Sequence, residues 1–334
     1  MSKMMQVYGY EKNLTTYQTQ TVIGSIKRLF EDNLSNNLNL KRVSAPLFVD
    51  VSTGLNDDLN GTERPVKFDI LETKTDAVVV HSLAKWKRYA LLKYGFPVGE
   101  GIYTDMNAIR RDEEMDNIHS IYVDQWDWEK VIDRETRTIK NLKETVKKIV
   151  GAICDTHEKI SKEYALKTFL SRDVSFVTTY ELEEMYPTLT SKERENAYLK
   201  EHKTAFIMEI GDALKSGERH DGRAPDYDDW HMNGDIMFWN DVLDCAFEVS
   251  SMGIRVDEKS LDEQLTKANA DDRRKFPFHK MLLEGKLPLT MGGGIGQSRL
   301  CMLILGKAHI GEVQVSIWDE ETMKKCKELG IDLL

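Results

Sequence analysis

Apolar residues along this chain switch between two spacings, one suited to helices and one to strands. Val22, Ile23, Ile26, Leu29 and Phe30 recur every three to four positions and predict a first helix. Val43, Ala45, Leu47 and Val49 then alternate as a strand. Pro46 inside it lacks a ladder donor, which points to a sheet edge or an interface. Val66, Phe68 and Ile70 predict a second strand, Ala77 to Val80 a third, and His81 to Tyr94 a helix closed by Gly95. Two strands, Gly101 to Arg110 and His119 to Trp128, flank a charged loop from Arg111 to Asn117. The clearest helix follows, with Ile139, Leu142, Val146, Ile149, Val150 and Ile153 on one face. Lys140, Lys143, Lys147 and Lys148 lie elsewhere and read as a solvated surface.

The second half alternates in the same way. A strand near Val174 to Thr178, helices around Leu182 and Glu195, and the apolar strand Ala205 to Ile210 precede a polar loop from Gly211 to Trp230. Asp235 to Trp239 and Ala246 to Val256 predict an antiparallel hairpin turning at Asn240 to Asp244. After two helices, Leu287 to Thr290 approaches a glycine run and an apolar helix, and Glu312 to Trp318 predicts a last strand. Hairpins mixed with helices mean an α+β fold, its central, mostly antiparallel sheet flanked by helices.

Composition narrows the function. The 334 residues are 41% hydrophobic and 31% charged, enough for a sizeable core in a soluble globular protein. A net charge of −10 disfavours a broad face for a long polyanion but permits a local basic pocket for one nucleotide. The four cysteines are widely spaced and suit a reducing cytosol. Neither a signal-peptide core nor a stretch of roughly 20 apolar residues is present, so a cytoplasmic location is expected.

The run Met291-Gly292-Gly293-Gly294-Ile295-Gly296-Gln297-Ser298-Arg299 is the first candidate for chemistry. Glycine lets backbone approach a ligand, and an arginine at the head of the following helix offers a planar fork to phosphate. The pattern lacks the Gly-Lys-Ser/Thr of a P-loop and the third glycine of a dinucleotide fingerprint. A tight turn beside a surface arginine is the plainer alternative. Arg110, at a strand end before Asp112 and Glu113, is a second phosphate candidate, with His119 placed near a base. Asp235 and Glu248 sit within otherwise apolar strands and need a partner, either Mg²⁺ with nucleotide phosphates or an arginine. Gln125 and Asp127 share one strand face and could read a small polar ligand, the carboxylate accepting from an ammonium group. Only one of Lys85 and Lys87 is expected to face a site.

In order, these pieces resemble the three signature motifs of class II aminoacyl-tRNA synthetase catalytic domains. Val43-Ser44-Ala45-Pro46-Leu47 is similar to the first, which lies at the dimer interface in that family. Arg110 with Asp112 and Glu113 is similar to the second, and Gly292 to Arg299 to the third. Longer blocks resemble the ammonia-dependent asparagine synthetase (aspartate–ammonia ligase) family. They are His81 to Arg88 (HSLAKWKR), Tyr122 to Glu129 (YVDQWDWE), Arg223 to Trp230 (RAPDYDDW), Phe247 to Val256 and Gly292 to Leu300. One departure stands out. Only His231 and Met232 separate Asp229-Trp230 from Asn233-Gly234-Asp235, where that family's pattern carries a longer insertion.

The resemblance implies a single catalytic domain over residues 1–334 without an anticodon-binding domain, acting as a homodimer that uses neither tRNA nor a membrane. It implies that L-aspartate, ATP and ammonia become L-asparagine, AMP and pyrophosphate through β-aspartyl-AMP. Arg110 would hold the α-phosphate and Arg299 the phosphate tail. Glu113 and His119 would complete the ATP site, and Asp235 and Glu248 would hold Mg²⁺. Aspartate would contact Ser82, Lys87, Gln125, Asp127, Asp228, Ser251 and Arg255. Asp57 would capture ammonium and accept its proton.

Overall fold

A computed structural model of the chain describes residues 4, 5, 7, 10–56 and 63–334. Eight strands form one sheet: β1 (Leu40–Arg42), β5 (Gly101–Ile109), β6 (Tyr122–Val131), β7 (Ser175–Thr178), β8 (Thr204–Met208), β9 (Asp228–Asn240), β10 (Cys245–Arg255) and β11 (Thr290–Gly296). Their spatial order is β1-β5-β6-β11-β10-β9-β8-β7. The two end pairs, β1 with β5 and β7 with β8, run parallel, and every other pair is antiparallel. A separate three-stranded sheet has the order β2-β4-β3, from β2 (Phe48–Asp50), β3 (Lys67–Ile70) and β4 (Thr75–Val79).

The helices are α1 (Thr16–Leu38), α2 (Ala84–Tyr94), α3 (Ile139–Tyr164), α4 (Thr179–Met185), α5 (Ser191–His202), α6 (Glu258–Lys267), α7 (Pro277–Leu283), α8 (Gln297–Leu305) and α9 (Glu320–Glu328). A Thr15–Gln18 capping box starts α1, and Asn39 ends it in the left-handed region. Its buried stripe of Val22, Ile26, Phe30 and Leu34 packs against the stripe Leu142, Val146, Ile149 and Ile153 of α3.

Both helices cover one face of the sheet, where Trp126 and Trp128 of β6, Phe238 of β9, and Phe247, Met252 and Ile254 of β10 are buried. Phe30 meets Trp126 at a ring-centroid distance of 4.7 Å, and burying an aromatic ring of this size contributes about 2–3 kcal/mol. Because strand side chains alternate, placing Trp126 and Trp128 in this core sends Gln125, Asp127 and Glu129 to the opposite face. That opposite face is the polar one.

Two expectations from the apolar pattern fail. The segment from Val43 to Val49 is not one strand. The chain leaves the large sheet after Arg42, and only Phe48 resumes pairing, in the small sheet. Pro46 lies between the two, where no ladder donor is needed. The final segment, Glu312 to Trp318, is a 3-10 turn followed by irregular chain. Val315 and Ile317 are exposed, while Gln314 turns inward to donate to Asp124 and Ser298, so no strand partners this alternation. The glycine run, for which a tight turn is the plainer alternative, is β11 itself. Two smaller shifts accompany these: the polar loop ends at Tyr227 because β9 begins at Asp228, and α2 begins only at Ala84. In place of the longer family insertion, β9 passes through His231 and Met232 at an irregularity in its pairing with β10, between Asp228 and Asn233.

Candidate active site

The polar face of the sheet forms the floor of a cavity of about 680 Å³. Every described residue expected from the sequence lines it: Ser82, Lys87, Arg110, Glu113, His119, Gln125, Asp127, Asp228, Asp235, Glu248, Ser251, Arg255 and Arg299. Asp57 lies outside the described residues. Lys85 instead turns to the buried Asp226, 3.1 Å away.

β11 runs down the middle of this floor between β6 and β10, pairing Gly294 with both Asp127 and Ser251. Its glycines are required by what lies above them. A Cβ on Gly292 would come within 1.9 Å of Glu129 Oε2, and one on Gly294 within 2.3 Å of Gln125 Oε1. They therefore make room for side chains leaning across from β6, a different reason from the backbone–ligand approach expected of them.

Asp235 and Glu248 owe their common face to a bulge. Asp235 pairs with Ser251, and Glu248 lies three residues before Ser251, which in a regular strand would put it on the opposite face. The register shift between Glu248 and Ser250 inserts one extra residue and restores Glu248 to the polar side. Each carboxylate has an arginine partner. Arg223 Nη2 donates to Asp235 Oδ1 at 2.6 Å, and Arg299 Nη1 to Glu248 Oε2 at 3.3 Å. Burial, opposed by Arg223 and reinforced by the charge of Glu248, pushes the Asp235 carboxyl up to about 6. Burial acts the same way on Glu248, but Arg299 and Lys192 outweigh it and hold its carboxyl below the ordinary range.

At the other end lies a buried charge network. Arg255 donates to Glu129 Oε2 at 2.7 Å and to Asp228 Oδ1 at 2.5 Å. Lys87 Nζ donates to Asp127 Oδ1 and, at 2.9 Å, to the Gly293 carbonyl, with Glu129 Oε2 4.0 Å away. Burial pushes the Lys87 ammonium below the usual lysine value against the pull of Asp127. Burial would raise Glu129, yet Arg255 and Lys87 keep it ionised. Removing one member of such a network strands a buried charge and costs about 3–5 kcal/mol. Such a pocket presents both charge signs at fixed positions, as a zwitterionic amino acid requires.

The two phosphate candidates come from segments far apart in the chain. Arg110 follows β5, where its main-chain N–H donates to Ile121 O at 2.8 Å, and its guanidinium lies 3.9 Å from Glu113. Its Nε is buried without a hydrogen-bond partner, a donor left available. Arg299 sits in the first turn of α8. His119, at the rim, is held by Asp116 at 2.9 Å.

Sequence reasoning missed Arg223, Glu129 and Lys192. Glu129 continues the alternation of Gln125 and Asp127, so period two could have found it. Arg223 and Lys192 come from a loop and an exposed helix turn, where no periodicity points inward.

A sheet of this order, carrying phosphate candidates beyond β5 and at the head of α8, is the catalytic fold of class II aminoacyl-tRNA synthetases. The asparaginyl-tRNA synthetase of Pyrococcus horikoshii, solved with asparaginyl-adenylate, superposes with a TM-score of 0.65 at 13% identity, over 89% of this chain and 68% of that one. That of Entamoeba histolytica, with the same ligand, gives 0.62 at 13% identity over 90% of this chain and 66% of that one. Sequence comparison is more specific. The chain is 60% identical to the aspartate–ammonia ligase of Clostridium tetani, over 97% of this chain and 96% of that protein. It is 57% identical to that of Clostridium perfringens over the full length of both. The sequence profile of the aspartate-ammonia ligase family matches residues 17–330, and the chain belongs to that family.

Proposed function

We propose that this chain joins ammonia to the side-chain carboxylate of L-aspartate, using ATP and releasing L-asparagine, AMP and pyrophosphate. The observation that carries this reading is one cavity shared by a mixed-charge pocket and a pair of guanidinium groups, in a member of the aspartate–ammonia ligase family. A carboxylate resists ammonia because oxide is not a viable leaving group. Attack of its oxygen on the α-phosphorus breaks the bond to pyrophosphate and forms β-aspartyl-AMP. Ammonia then displaces AMP.

In this reading Arg110 neutralises the charge developing on the α-phosphate and Arg299 binds the phosphate tail. Glu113 and His119 complete the nucleotide site. Lys87, Gln125, Asp127, Asp228, Ser251 and Arg255, with Ser82 at the head of α2, orient aspartate so that its β-carboxylate faces the α-phosphorus. Aligning the β- rather than the α-carboxylate separates this chemistry from that of a tRNA synthetase.

Asp235 and Glu248 are the residues that would hold Mg²⁺. The fit is supported by two carboxylates on one face, one of them with its carboxyl raised by burial and by the other's charge, and by a cavity wall where carboxylates outnumber cations. Two carboxylates leave the remaining Mg²⁺ positions to water and phosphate oxygens. When bound, Mg²⁺ offsets triphosphate charge.

Ammonium capture falls to Asp57. Its neighbour Asn56 lies near the start of α2, where its Oδ1 accepts from the His81 main-chain N–H at 2.9 Å. The described residues act as one catalytic domain. They work as a homodimer on small molecules, in the cytoplasm and without tRNA; no described helix is long and apolar enough to cross a membrane.

Incubation with Mg·ATP, aspartate and ¹⁵N-ammonium is the direct test. Equal amounts of AMP and side-chain-labelled asparagine are expected, glutamine should not replace ammonium, and added tRNA should change nothing. Aspartylated tRNA, or ADP in place of AMP, would overturn the reading.

A further inference from the structure

Helix α5 brings a cation to the nucleotide end of the cavity from outside the three signature motifs. Lys192 stands second in α5, behind a Thr190–Glu193 capping box, and lines the cavity with Glu248 and Arg299. A cation in the first turn opposes the helix dipole, so local helix stability does not account for it. Two contacts fix the helix that presents it. Asn196 Oδ1 accepts from the Ala246 main chain of β10 at 2.7 Å. The buried His220, from the loop that also carries Arg223, lies 3.1 Å from Glu195 Oε1. Lys192 Nζ in turn donates to Glu195 Oε2 at 3.0 Å and lies 4.0 Å from Asp221.

The backbone beneath Lys192 is therefore held, while its side chain stays 69% exposed and able to move. Its charged surroundings are Glu195, Asp221 and Glu248. Those of Lys87, at the amino-acid end, are Asp127, Arg255 and Glu129. The two lysines serve different ends of the cavity. An α-phosphate must lie next to the amino acid it activates, so the phosphates beyond it extend toward Glu248 and Lys192.

We propose that Lys192 is a further ATP-binding residue, which exchanges its carboxylate partners for the β- and γ-phosphates and stabilises the departing pyrophosphate. The proposal rests on the ATP-dependent reading above. It differs from the role of Arg110 because it concerns only the part of the nucleotide that AMP lacks.

The test compares Lys192→Met and Lys192→Arg with the unaltered protein in the presence of Mg²⁺. Lys192→Met should weaken ATP affinity, measured by calorimetry, by about tenfold. It should weaken inhibition by inorganic pyrophosphate to a similar degree and leave AMP affinity unchanged. Lys192→Arg, which keeps the charge, should restore most of the loss. Any fall in the melting temperature of Lys192→Met should be small, because the lysine is exposed and Glu195 keeps His220 as a partner. ATP affinity within twofold of the unaltered protein, or equal weakening of AMP and pyrophosphate, would overturn the proposal. Calorimetry with ATP reads Lys192 whether or not asparagine forms, so failure of the ligase assay and failure of this inference are separate results.

Discussion

At the scale of single residues, the site is a set of charges that hold one another in place until a substrate displaces them. Arg299 rests on Glu248 and Arg223 on Asp235. Arg299 is partly exposed, so Arg299→Ala should leave the melting temperature near that of the parent. Pyrophosphate release with aspartate and ATP should nevertheless fall on the order of a thousandfold. Near-normal release would mean the phosphate tail lies elsewhere. Asp235 supplies a pH prediction. Its carboxyl, pushed up to about 6, is raised above the unfolded value, so ionising it opposes folding. This destabilisation is absent at low pH and grows as pH rises from the unfolded value through 6. Mg²⁺ with ATP should offset it, so the melting-temperature gain from Mg·ATP should be larger at pH 7.5 than at pH 5. A gain independent of pH would remove Asp235 from the metal site. Most of these residues were legible because each is a polar residue at an inward position of an apolar strand or a glycine-rich segment. Arg223 was not, because nothing in a polar loop says which side chain turns in.

At the scale of elements, the decisive piece is a strand made mostly of glycine. Glycine-rich sequence reads as a turn because isolated glycine disfavours strands, but β11 is paired on both sides and its neighbours determine its conformation. The two central substitutions should therefore fail in different ways. Gly292→Ala drives a methyl into the buried Glu129 and should destabilise the protein by about 3 kcal/mol, read as a lowered urea midpoint. Gly294→Ala pushes against Gln125 at the cavity floor, and should raise the KM for aspartate more than the KM for ATP. Equal effects of the two on stability and on both KM values would contradict this division. The helices α1 and α3 were plain from their stripes, whereas the segment 312–318 alternates without pairing because no strand lies beside it.

At the scale of the whole molecule, the chain from the end of β1 through β2 to the turn after it exposes Leu47, Phe48 and Val51. This is the region of the motif that resembles a dimer interface. Sedimentation should give twice the 38.5 kDa chain mass at micromolar concentration, and Leu47→Asp with Phe48→Asp should shift it toward the monomer. A monomeric parent would refute the dimer. By itself the sequence determined the α+β class and the long helices, and it marked Arg110, Gln125, Asp127, Asp235, Glu248 and Arg299 as polar residues of interest, since these follow from periodicity and residue type over short spans; Ser82, Asp228 and the choice of Lys87 came from the family resemblance. Only the tertiary structure decided that β11 lies between β6 and β10, that a bulge turns Glu248 toward the face of Asp235, and that α5 reaches the cavity beside Glu248. Those outcomes depend on pairing between segments far apart in the chain, and local pattern carries no record of which distant strand will be the neighbour.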